Sequence, residues 1–106
     1  SDYSYSSNGS DYYSVSGNNY TEMVGFVFNP DNQMSEFWVY IKSYSVIETI
    51  YDNLRSLYEE AKTENTDKTH VFYNKDKTLK IVLDLGNFAV VYNNQAMKQH
   101  VHDTSI

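Results

Sequence analysis

His100 and His102, with Asp103 beside them, are the one closely spaced histidine pair in a sequence with three histidines and no cysteine. In an extended stretch both imidazoles would lie on one side and offer a transition metal its first two ligands. A complete shell needs more donors, and the remaining histidine, His70, begins a strand pattern elsewhere. The pair therefore reads as part of a polar tail, and neither a metal nor any other cofactor is expected.

Glu48, Asp52, Glu59 and Glu60 include pairs spaced to share a helix face. Paired carboxylates do acid–base work only in a cleft that separates their pKa values. These fall opposite an apolar stripe, so a solvated helix surface is the expected role. Nucleophilic chemistry finds no Gly-x-Ser-x-Gly elbow, and the serines crowd into the N-terminal twenty residues, where nothing fixes their geometry. Gly9, Gly17, Gly25 and Gly86 are scattered and match no nucleotide-binding fingerprint. The residues point away from an enzyme.

Charge narrows the partners. The net charge is −6, and no Lys or Arg occurs before Lys42, whereas Asp2, Asp11, Glu22, Asp31 and Glu36 all precede it. From Lys42 onward eight basic residues face nine acidic ones. Nucleic-acid binding rests on cations that neutralise phosphates, so this layout argues against it. It equally disfavours an anionic lipid surface, and no apolar run is long enough to insert into a membrane.

The elements that would position functional side chains begin after an arm. Residues 1–20 are almost entirely Ser, Tyr, Asn, Gly and Asp, with Val15 the sole aliphatic side chain. Such a segment buries too little apolar surface to offset its ordering entropy, so a flexible arm is expected. Residues 21–93 form the expected domain, and 94–106 a polar tail. Within the domain, 23–28 and 36–42 are Val- and aromatic-rich, and the Asn-Pro-Asp-Asn-Gln between them is a turn, so they predict a hairpin.

A helix is predicted over about 46–62. Ser45 and Glu48 have capping-box spacing, and Ile47, Ile50, Leu54, Leu57, Tyr58 and Ala61 fall on one face. Residues 70–74, 78–85 and 87–93 predict three further strands, with Gly86 supplying a positive-φ turn between the last two. The fold class is therefore α+β: one antiparallel sheet of about five strands, in ββαβββ order, with one helix on one face.

That architecture leaves a sheet face without a cover. By alternation Trp38, Tyr40, Val82 and Val91 share it, joined by Val27 or Phe28 according to register. An aromatic patch of this kind marks a contact with protein, either a partner or a second copy of the chain. The expected function is a non-enzymatic protein-interaction module. One setting is an extracytoplasmic bacterial domain behind an N-terminal spacer, the localisation that the Ser/Tyr/Asn/Gly arm favours. The other is a small acidic inhibitor or immunity-type protein of a phage or bacterium that blocks a basic site on an enzyme.

Overall fold

A computed structural model describes residues 2–7, 10–14, 21–29, 31 and 33–95. Its strands are β1 (Asp2–Ser7), β2 (Ser10–Ser14), β3 (Thr21–Phe28), β4 (Met34–Ile41), β5 (Glu59–Glu60), β6 (Thr69–Tyr73), β7 (Leu79–Asp84) and β8 (Ala89–Asn94). One α-helix, α1 (Ile47–Leu57), lies between β4 and β5. The class is α+β, and the strands form one sheet in the order β1-β2-β3-β4-β8-β7-β6-β5, every neighbour antiparallel.

The five strands read from the sequence are β3, β4, β6, β7 and β8; the sheet is wider because residues 2–7 and 10–14 join it and a two-residue strand closes its other edge. Ser and Tyr alternation carries no apolar period, so the pairing of β2 with β3 is invisible until an edge strand offers its backbone groups. Around the β3–β4 turn, the Asn29 side-chain oxygen accepts the Asp31 and Gln33 N–H groups, an Asx-type cap that holds the hairpin.

α1 is shorter than its periodicity implies. A 3-10 turn over Tyr44–Val46 precedes it, so the capping position is Ser43, whose Oγ accepts the Ser45 N–H. Ser45 lies inside that turn, and the Ser45/Glu48 capping box does not form; Val46 ahead of α1 has no side-chain cap bond. The chain turns extended at Tyr58 because Glu59 and Glu60 pair with Tyr73 and Phe72 of β6. Sheet pairing overrides helix propensity here.

Ile47 and Leu54 of α1 meet Ile41, Phe72, Ile81, Leu83 and Val90 in the core, with Ile50, Tyr51 and Tyr58 packed against it. Leu57, expected in the same stripe, is 71% exposed at the end of the helix. The β7–β8 turn also differs from expectation: its left-handed residue is Phe88, at φ 57°, rather than Gly86. The Phe88 carbonyl accepts the Ile41 N–H at 2.9 Å and its ring stacks on Tyr44, contacts that hold a bulky residue in a conformation it rarely adopts. Gly86 is instead a close approach, since a Cβ there would sit 3.3 Å from the Asp84 Oδ1 that accepts the Asn87 N–H.

Candidate protein-interaction face

The β3–β4 and β4–β8 registers put Gly25, Trp38, Val91 and Val82 in one cross-strand row on the face opposite α1. Met23, Tyr40 and Ala89 form the next row. Val27, opposite Glu36, belongs to this face, which settles the register that the sequence left open between Val27 and Phe28. The four residues singled out from the sequence thus share one face.

They do not share one role. Val91 is 7% exposed between its neighbours Trp38 and Val82, so it supports the surface more than it presents one. Trp38, Tyr40 and Val82 are half-buried. The Trp38 and Tyr40 rings stack at 5.9 Å and 26°. Glu36 holds Trp38: one carboxylate oxygen accepts Trp38 Nε1–H at 3.0 Å, and the other accepts Asn93 Nδ2–H at 2.9 Å. Gln95 Nε2–H then donates to Asn93 Oδ1 at 2.7 Å. The indole is oriented by a polar chain that runs across β4 and β8.

Sequence reasoning missed Tyr12 and Gly25. Tyr12 lies opposite Gly25, and its ring sits where a side chain at 25 would be: a Cβ would come within 3.0 Å of Tyr12 Cε1. Glycine inside a strand often signals such an approach. The Tyr12 centroid is 6.3 Å from that of Tyr40, so β2 enlarges the aromatic group instead of lying across it.

A second polar constellation is built around Glu60, whose side chain is 8% exposed. Its carboxylate accepts the Tyr51 hydroxyl at 2.9 and 3.1 Å and Asn65 Nδ2–H at 2.7 Å, and lies 3.5 Å from His70 Nδ1. Burial pushes the Glu60 carboxyl up, but the Asn65 and Tyr51 donors and the neighbouring His70 ring outweigh it and hold the group below its ordinary value. Tyr51 is shifted upward by burial and by the hydrogen bond and charge of Glu60. His70 Nδ1 is buried with no well-formed hydrogen bond, and its ring lies 4.6 Å from that of Tyr51.

The sequence placed Glu60 on a solvated helix surface with Glu48, Asp52 and Glu59. Those three are exposed, whereas Glu60 has left the helix and ties α1, β6 and the loop between β5 and β6 together. Its carboxylate receives the Tyr51 and Asn65 donors and so acts as a structural latch between α1 and the segment that leads into β6.

His100, His102 and Asp103 lie outside the described residues. Among those described, no group of three His, Asp or Glu side chains converges where a metal could sit, and no helix is long and apolar enough to cross a membrane. The chain matches no known family model, and no curated protein or solved structure is significantly similar to it.

Proposed function

We propose that the chain is a non-enzymatic protein-interaction module whose contact surface is the face centred on Trp38 and Tyr40. Its partner is a protein that presents an apolar patch among basic side chains. The observation that carries this reading is the contiguous group of Tyr12, Tyr40 and Trp38, half-buried on the sheet face that α1 does not cover. Large rigid aromatics in that state are the usual anchors of protein interfaces. The group also lies in the part of the chain that has acidic residues and no basic one. That charge layout favours the inhibitor setting, in which a basic site on an enzyme is covered, and the pairing of β2 with β3 favours it over a spacer role for residues 1–20.

Trp38→Ala tests the reading. It is expected to weaken association with a captured partner by about 2 kcal/mol or more, while the lost Tyr40 stack and Glu36 hydrogen bond cost the isolated domain only about 1–2 kcal/mol. Binding should also weaken as salt rises, since a charge-complementary rim is screened. Loss of about 3–5 kcal/mol of stability in the same variant would make Trp38 a core residue and remove this face as the site. Self-association that Trp38→Ala abolishes would make the occupant a second copy instead.

A further inference from the structure

We propose that the groove beside α1, on the opposite face of the sheet, docks an amphipathic basic helix of a partner protein; this surface stands independently of the Trp38 reading. The core beneath α1 uses β4, β6, β7 and β8. The same face continues across β3 and β2, where Val24, Phe26 and Tyr13 are half-buried and no helix among the described residues covers them. Strands lie about 4.8 Å apart, so the ground from β4 to β2 is about one helix diameter wide, roughly 10 Å.

The groove is already shaped at its inner edge. A cavity of about 220 Å³ has Val39, Val90 and Tyr92 in its floor and Ile50, Leu54 and Leu57 in its wall. Leu57, at 71% exposure, is a large aliphatic side chain that the domain itself leaves in water. From Tyr92 an aromatic ladder leads outward across the open strands: Tyr92 to Phe37 at 6.0 Å, Phe37 to Phe26 at 5.1 Å, and Phe26 to Tyr13 at 5.5 Å. A helix parallel to α1 and about 8–10 Å from it would rest on these rings with its flank against Leu57. Such helices anchor through apolar residues at i, i+3 or i+4, and i+7.

Charge selects the occupant. Asp11 lies opposite Phe26, on this face, and Glu22 is exposed at the start of β3. Among the described residues neither forms an ion pair with a cation. A partner helix with Lys or Arg on its polar side complements that border, whereas a second copy would bring another net charge of −6 to it.

The test uses the full chain and a labelled Leu/Lys amphipathic peptide of about four helical turns, with a Leu/Glu peptide of the same pattern and a scrambled Leu/Lys peptide as controls. Fluorescence anisotropy is expected to show binding of the patterned Leu/Lys peptide alone. Leu57→Asp, at an exposed position, should weaken it at least about tenfold, while Trp38→Ala leaves it unchanged. Amide shift mapping on the unaltered chain should move Val39, Leu57 and Tyr92. Equal binding of the scrambled or Leu/Glu peptide, indifference to Leu57→Asp, or shifts confined to the Trp38 face would each overturn the proposal.

Discussion

The two halves of the sheet are stabilised differently. Under α1, strands β6, β7 and β8 bury aliphatic and aromatic side chains fully: Phe72, Ile81 and Leu83 have no exposure, and the Glu60 latch ties Tyr51, in the middle of the helix, to the β5–β6 pair. The outer strand there is also guarded, since the Val71 N–H donates to Asn65 Oδ1 and the Val71 carbonyl accepts the Ala61 N–H. Across β2 and β3 the side chains are mostly half-buried, and ring-to-ring contacts take the place of an aliphatic core. Stability is therefore concentrated at one end of the sheet, and surface available for contact at the other. A domain of this size can fold around one compact core and leave part of its sheet for binding.

Three measurements would break or sharpen that contrast. The largest effect is expected from Phe72→Ala in the covered half, which leaves a cavity in the core and should cost about 3–5 kcal/mol in denaturant unfolding. A loss below about 1 kcal/mol would mean that the core can collapse and that the two halves are less different than their burial implies.

Removing residues 1–20 should cost less, about 1–3 kcal/mol, because two ring contacts of about 0.5–1.5 kcal/mol each disappear with β1 and β2. The contacts are Tyr12 with Tyr40 and Tyr13 with Phe26. An unchanged midpoint would return these residues to the flexible arm that their composition implies.

The smallest effect is a pH dependence from Glu60. Its folded pKa lies below the ordinary 4.5, so the unfolded chain binds the proton more readily. The stabilisation is complete above the unfolded value and is lost as pH falls through the folded one. Glu60→Gln, which keeps an acceptor oxygen, should lower stability near neutrality by about 1 kcal/mol, the net scale of one hydrogen bond, and flatten that acid limb. An acid limb equally steep in Glu60→Gln would assign the titration to other carboxylates.

Much of the covered half was legible in the sequence. The stripe of Ile47, Ile50, Leu54 and Tyr58 marks a helix face, and alternation of Ile81 and Leu83 with Lys80 and Asp84 marks a half-buried strand, because both periods are local geometry. The open half was legible in part. Alternation placed Trp38, Tyr40, Val82 and Val91 on one face, but their separate burials and the contribution of Tyr12 depend on strands far apart in sequence.

By itself the sequence determined the α+β class, the position of the helix, the five main strands and an acidic N-terminal stretch of 41 residues without a cation. These follow from side-chain period and composition, which act within a few residues. Tertiary structure alone decided that residues 2–7 and 10–14 widen the sheet, that the helix stops at Leu57 and exposes it, that Phe88 takes the left-handed conformation, and that Glu60 becomes a buried latch. Each depends on a partner supplied by another part of the fold: an open strand edge, the pairing of β5 with β6, the Ile41 N–H, and the Tyr51 and Asn65 donors. A local pattern cannot encode a contact whose free energy depends on where a distant segment comes to rest.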